Sequence, residues 1–273
     1  VEPGVADTPE SVLEALTLAY EGRDAWLSEP LTTTAREDLQ AATAGTCLTY
    51  GEITDGGLSK LLGTDGLNIA ARGAHHLLEL GSGRGRLALQ AFLQFPELRT
   101  VVGVELVSSR HRSAVAAFSR LAAAYPSRFN FSAKSSGEEA YQCAGTKRGS
   151  ESCATLTEGA GMEVRCCELR MGNFLDIPAE NLRDADVILL EVVMPPGPGR
   201  EAAHAQLCLH LAANCKHGCV IAAYEDLHSI WRNVMEAPEC PLHKLNLSEE
   251  GFSTTWSAAG HYFYGFHCNR DCP

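Results

Sequence analysis

The sequence predicts an α/β domain built on a mostly parallel, Rossmann-like sheet, with a terminal antiparallel hairpin and a small N-terminal helical segment. Three observations carry this. Apolar runs of strand length alternate with helical periodicity from residue 77 onward; a glycine turn, Gly81, Gly83 and Gly85, joins the first such strand to the first such helix; and two strand-like runs follow one another near the C-terminus.

Each element follows from its residue pattern. Residues 9–45 carry Val12, Leu13, Leu16 and Ala19 at helical spacing with few strand signals, which defines a helical segment over 1–47 ahead of the main domain, 48–273. A loop at 49–54 leads into a short helix through Leu58, Leu61 and Leu62. Strands are expected near 77–80, 100–105, 163–170, 186–192 and 218–224, with helices near 85–95, 108–125, 200–214 and 226–236. That alternation implies a parallel sheet covered on both faces. Residues 244–247 and 254–268 read as two successive strands pairing at the sheet edge. Residues 132–161 interrupt the scheme with a polar, serine- and glycine-rich stretch, which reads as a mobile and functionally inert surface insertion.

Composition narrows the class. A chain of 273 residues with 45% hydrophobic content can bury a full core. No apolar run approaches the ~20 residues that cross a bilayer, and residues 1–30 lack the basic-then-apolar layout of a secretory signal, so an intracellular protein is expected. The eleven cysteines are odd in number and include the adjacent pair Cys166 and Cys167, which points to reduced thiols. Cys215, His217 and Cys219 are closely spaced but lack a clear fourth ligand, so no metal is expected. The net charge of -12 disfavours a surface that holds a nucleic-acid backbone and favours a basic partner. Arg84, Arg86, Arg99, Arg110, Arg112 and Arg120 form the densest basic group and read as solvated helix-face charges.

The glycine turn carries the chemistry. Its glycines let backbone approach a ligand closely, and free amides at the following helix start face polar ligand atoms. Gly81, Gly83 and Gly85 are spaced G-x-G-x-G, unlike the G-x-G-x-x-G of a dinucleotide turn, and Glu79 stands directly before them. An acid there suits a cation better than a phosphate. S-adenosylmethionine (SAM) fits, with Glu105 at the end of the next strand taking the ribose hydroxyls and Glu79 near the methionine end.

Further stretches now join the turn in order: Tyr50 to Thr54, Leu78 to Gly85, Gly103 to Glu105, Gly172 to Leu175, and Thr255 and Trp256 followed by Tyr262 to Tyr264. This order resembles the Dot1 family, the histone H3 lysine methyltransferases that lack a SET domain, over roughly residues 45–268. The resemblance implies a class I seven-stranded SAM-dependent methyltransferase sheet. It also implies that Tyr50, Glu52 and Thr54 close over the methionine end of the cofactor. Glu79, Gly81, Ser82, Gly83 and Gly85 would form the floor, Glu105 would bind ribose, and Asn173 with Phe174 would hold the adenine. Asn173 stands where the family usually has Asp, keeping a carbonyl acceptor without the charge.

One departure is larger. Where the family carries an Asn-Asn-Phe stretch facing the methyl donor, this chain has Glu191, followed by Pro195 and Pro196. A protonated lysine cannot attack a sulfonium methyl, and deprotonating it at pH 7 costs roughly 4–5 kcal/mol. A carboxylate at Glu191 would draw in and orient the ammonium while raising its pKa. Trp256, Tyr262, Phe263 and Tyr264 are candidates for a narrow aromatic passage that strips water from the lysine. Strand alternation puts Tyr262 and Tyr264 on one face and Phe263 on the other.

Taken together, the resemblance implies a nuclear protein-lysine methyltransferase acting on histone H3. No lysine-rich stretch comparable to those that hold nucleosomal DNA is present, so either a partner or further flanking sequence would supply one, or the substrate is a free basic protein. Two alternatives remain open: a class I methyltransferase of another protein, a small molecule or RNA, and a catalytically silent fold that binds a partner.

Overall fold

In the computed structural model the described residues are 11–22, 52–134, 152–159, 164–192, 198–234, 240–247, 250–255 and 257–268. Tyr50 and Trp256, both expected at the site, lie outside them. Helix α1, Val12–Ala19, begins at Ser11, whose hydroxyl accepts the Glu14 amide. It buries Ala15, Leu16 and Ala19 with Val12 packed beside them, so three of the four residues expected on one helical face, Val12, Leu16 and Ala19, meet the core, while Leu13 is exposed. Helix α2, Asp55–Leu62, is capped by Thr54 and buries Leu58, Leu61 and Leu62.

The alternating series then runs β1 His76–Leu80, α3 Arg86–Gln94, β2 Thr100–Glu105, α4 Ser108–Ala124, β3 Phe129–Lys134, β4 Cys153–Glu158, β5 Arg165–Met171, α5 Ala179–Asp184, β6 Val187–Leu190, α6 Pro198–Asn214, β7 Val220–Ala223 and α7 Leu227–Val234. It closes with β8 His243–Leu245, β9 Phe252–Thr254, β10 Ser257–His261 and β11 Tyr264–His267. The central strands β6 and β7 are apolar throughout and buried throughout, as strands covered on both faces must be.

Strand order in the main sheet is β3-β4-β5-β2-β1-β6-β7-β11-β8. Strands β5, β2, β1, β6 and β7 pair in parallel, whereas β11 is antiparallel to both β7 and β8. Setting aside β3 and β4, seven strands remain with β11 alone reversed. That is the class I seven-stranded methyltransferase arrangement, a Rossmann-like sheet.

Side-chain alternation along these strands sorts the core into two layers. Leu77, Val101, Val187, Leu189, Val220 and Ala222 face the layer packed by α1 to α4, where Phe92 and Phe118 are fully buried. Leu78, Leu80, Val102, Val104, Ile188 and Ile221 face the layer holding Leu207, Leu211 and Trp231 of α6 and α7. Each fully buried phenylalanine or leucine contributes about 1.5–3 kcal/mol relative to exposure.

Two expectations need correction. Part of the 132–161 stretch is not an inert surface insertion: residues 132–134 belong to β3 and 153–158 form β4, which pairs antiparallel with β3 and with β5 and widens the sheet. The period-2 pattern of Ala154 and Leu156 inward with Thr155 and Thr157 between them drives this, because each inward residue gains burial that serine and glycine neighbours cannot. Residues 135–151 and 160–163 lie outside the described residues. The run 254–268 also divides. Residues 257–261 leave the main sheet to form a two-stranded ribbon with β9, and only β11 returns to pair with β8.

No helix among the described residues is long and apolar enough to cross a membrane. The eight described cysteines are free thiols. Cys215 and Cys219 are buried while His217 is exposed, and no group of three or more His, Cys, Asp or Glu among the described residues could hold a metal ion.

Candidate cofactor and acceptor site

The parity that sorts the core also builds the site. Glu79 shares a face with Leu77 on β1; Glu105 shares it with Val101 on β2. Two residues beyond Leu189 on β6 comes Glu191, and two beyond Ala222 on β7 comes Tyr224, again on that face. Register aligns them: Glu79 lies opposite Gly103 and Leu189, and Leu190 lies opposite Ala223. Four adjacent strands therefore present Glu105, Glu79, Glu191 and Tyr224 in a row at the carboxyl edge of the sheet, where open α/β sheets take their ligands.

The turn between β1 and α3 forms the next wall. Gly81, Gly83 and Gly85 all have positive φ, at 87°, 53° and 70°. A Cβ on Gly81 would lie 2.6 Å from Val192 Cγ2, so glycine is required there by space as well as by backbone. The amides of Gly81 and Ser82 both donate to the Val104 carbonyl at 2.9 Å, and that of Gly85 donates to the Ser82 carbonyl. Ser82 is buried against Gly103, where any side chain would collide with it. These bonds hold the loop onto β2.

Glu105 locks the same loop. Its Oε2 accepts the Gly83 amide and its Oε1 the Val107 amide, each at 2.7 Å. Burial pushes this carboxyl up, opposed chiefly by those backbone amides and by Arg110. The Gly172 amide donates to the Glu105 carbonyl, bringing the end of β5 and Asn173 to the same edge. Asn173 Oδ1 accepts the Leu175 amide at the start of a short 3-10 turn, Phe174–Asp176, and Phe174 packs half-buried against the α6 and α7 layer.

Glu52 reaches the row from the segment before α2. That segment is tied to β9: Thr54 donates its amide to Ser253, Ile53 bridges Thr254, and the Glu52 and Thr255 backbones bond to each other through N–H, C=O and the Thr255 hydroxyl. Thr54 spends its hydroxyl on the Gly57 amide and on Ser253 Oγ, so it positions Glu52 and α2.

The electrostatics of the row are unusual. Glu52, Glu79 and Glu105 are buried, as is Oε1 of Glu191. Glu79 is pushed well above the ordinary carboxylate range by burial first and by Glu191, Glu52 and Glu105 after it, against the Ala88 amide in the first turn of α3. Burial and Glu52 push Glu191 up to about 8, opposed by the Tyr224 hydroxyl that donates to its Oε2 at 2.9 Å. Burial raises Glu52 to about 7, with Arg86 and Arg84 pulling the other way. Glu79 Oε2 and Glu191 Oε1 have no hydrogen-bond partner among the described residues.

Tyr224 was not legible as a site residue. Its ring packs on Phe263 at 4.6 Å and edge-on to His261 at 5.3 Å, and burial holds its hydroxyl well above 10. Its position two residues past the buried Ala222, as Glu191 stands past Leu189, was the available signal. Arg86 corrects another expectation. Rather than lying solvated on a helix face, it is buried and bonds both carboxylate oxygens of Asp55 at 2.7 and 2.8 Å, stapling α3 to α2. Of the expected aromatic passage, Phe263 is buried in the core layer, while Tyr262 and Tyr264 are exposed at 60% and 39%. The structure thus brings together Glu52, Glu79, Glu105 and Glu191 with the glycine turn, and leaves Tyr262 and Tyr264 facing outward.

No family model matches the chain, and no curated protein matches it in sequence. Among solved structures, the cofactor-bound Rv0187 from MTB is 14% identical over 91% of this chain and 96% of that one, with a TM-score of 0.41. An O-methyltransferase from Bacillus cereus in complex with SAH is 14% identical over 89% and 94%, at 0.41. The 16S rRNA (adenine(1408)-N(1))-methyltransferase of Catenulisporales acidiphilia, a variant solved with SAM, is 16% identical over 84% and 97%, at 0.37. The fold is read from the strand order itself; similarities at this level carry no argument about ligand or substrate.

Proposed function

We propose that this chain is a SAM-dependent methyltransferase whose acceptor is an amine, the side chain of a lysine in a basic protein. The observation that carries the reading is the pair of buried, unpartnered carboxylate oxygens, Glu79 Oε2 and Glu191 Oε1, on adjacent strands beside a glycine turn. Buried acids without partners call for cationic ligands. A sulfonium donor and an ammonium acceptor are both cations, so one ligand pair answers both oxygens.

The residues present fit the cofactor. In this reading Glu79 and the turn from Gly81 to Gly85 hold its charged methionine end, Glu105 at the end of β2 takes the ribose hydroxyls, and Asn173 with Phe174, just past β5, takes the adenine. When bound, the group supplies a methyl on positive sulfur, which leaves as a neutral thioether. Little side-chain chemistry remains beyond positioning the amine in line and excluding water. Glu191, raised to about 8 and oriented by Tyr224, is suited to orient the acceptor and, in its ionised form, to take the proton that its ammonium must lose.

The lysine of histone H3 is the finer form of this reading. It is supported by the ordered resemblance running from Tyr50 to Tyr264 and by the net charge of -12, which favours a basic partner. Incubation with tritiated donor and core histones, nucleosomes or whole-cell extract tests it. Label on a histone H3 lysine supports the full reading; label on a lysine of another protein only would remove the histone claim and keep the lysine; label confined to RNA or a small molecule would sink the protein-lysine reading.

A further inference from the structure

We propose that Glu79 and Glu191 tell the charged methyl donor from its uncharged thioether product, by holding protons in the ligand-free site and releasing them when the sulfonium enters. The inference rests on the reading of this site as a sulfonium-binding pocket, and it concerns the binding equilibrium rather than the transfer step.

The geometry starts with separation by strand. Glu79 ends β1 and Glu191 extends β6, its parallel neighbour, on one face of the sheet, each with a buried oxygen that meets no donor among the described residues. Glu79 is 2% exposed, so water does not screen it. Two like charges so placed cannot both stay ionised without a counter-cation.

Among the described residues, the groups acting on Glu79 do not supply one. Glu52 from before α2 and Glu105 from β2 add negative charge; Tyr20 from α1, Tyr224 from β7 and Cys167 from β5 are neutral, each raised well above its ordinary range. The arginines on this side act elsewhere. Arg86 is committed to Asp55, and Arg84, Arg86 and Arg110 act on Glu52, with Arg110 also on Glu105. The empty pocket therefore answers its charge with protons.

A bound sulfonium replaces those protons. Each carboxylic acid ionises, its proton passes to buffer, and the carboxylate faces the cation. The thioether product has the same adenosine, ammonium and carboxylate but no charge on sulfur, so it lacks the group that drives ionisation. Linkage then sets the sign: affinity for the donor rises with pH, by about tenfold per pH unit for each proton released, while affinity for the product stays nearly flat. After transfer the pocket takes its protons back, and the product is the weaker ligand.

The test is calorimetry on the whole chain with SAM and, separately, with S-adenosylhomocysteine. Titrations run from pH 5.5 to 7, below the range of about 7.7–8.0 where an α-amino group titrates, in buffers of different ionisation enthalpy. The expected result is a greater proton release with SAM and a donor-to-product affinity ratio that rises by about thirtyfold across the window for each proton released. Glu191→Gln should reduce that rise while retaining binding of the product. Equal proton release and parallel pH dependence for the two ligands would overturn the inference and leave the cofactor reading intact. Failure of both to bind would remove the cofactor reading and the inference together.

Discussion

Tyr224 donates its hydroxyl proton to Glu191 Oε2 across 2.9 Å, joining two residues that each stand one position beyond the end of a parallel strand, on neighbouring strands. One oxygen of Glu191 is thereby fixed and the other is buried without a hydrogen-bond partner among the described residues, so the carboxylate has an orientation before any ligand arrives.

Tyr224→Phe should separate orientation from charge. The hydroxyl hydrogen bond holds the Glu191 carboxyl down, so its loss moves that carboxyl further above 8. The acid limb of a kcat/KM profile is expected to shift to higher pH, with activity several-fold lower at neutrality and recovering in alkali. A stability loss of about 1 kcal/mol accompanies it, checked by chemical denaturation. An unchanged acid limb would remove Glu191 from proton handling.

Glu105→Ala leaves the Gly83 and Val107 amides without their carboxylate. Each buried donor left unpaired costs about 1–3 kcal/mol. The thermal midpoint should fall and cofactor affinity should drop further than stability does, because the bond to Gly83 shapes the glycine turn. Calorimetry beside thermal melting distinguishes the two losses.

Gly81→Ala and Gly73→Ala make a matched pair. Both glycines have positive φ, 87° and 63°, so both variants carry the left-handed backbone cost of about 1–2 kcal/mol. A Cβ on Gly73 meets nothing within 4 Å, whereas one on Gly81 collides with Val192. Gly81→Ala should therefore destabilise more by denaturant midpoint and abolish cofactor binding, while Gly73→Ala keeps it.

Arg86→Met breaks a largely buried ion pair from one side. Removing one partner of such a pair costs about 3–5 kcal/mol in a fully buried setting, and Asp55 here is one-third exposed, so the loss should fall below that range. Because Arg86 also offsets the charge on Glu52, that carboxyl should rise above 7 in the variant, readable by NMR titration.

Stability of the ligand-free protein should fall as pH rises from about 5 to 8. Glu52 and Glu191 have folded values of about 7 and 8, above the unfolded value of about 4.3. Between those limits the folded state keeps protons that the unfolded chain has lost, so the slope is negative. Glu191→Gln should flatten it in denaturation curves run across that range. A wild-type slope that survives Glu191→Gln unchanged would argue that Glu191 is not held neutral in the fold.

The sequence by itself determined the alternating parallel sheet, the glycine turn with Glu79 before it, and Glu105 at the end of β2, because each depends on local period and on neighbours within a few residues. Phe263 is buried opposite the exposed Tyr262 and Tyr264, as expected, but residues 262 and 263 lie between β10 and β11, so strand alternation is not what sets it. Tertiary structure decided the rest. The strand β4 was hidden in polar company because its inward Ala154 and Leu156 matter only once β5 lies beside them. Arg86 looked like a surface charge until α2 brought Asp55 to it. The row of Glu79, Glu191 and Tyr224 joins residues 112 and then 33 positions apart, aligned by sheet register, and no local pattern encodes a register between distant strands.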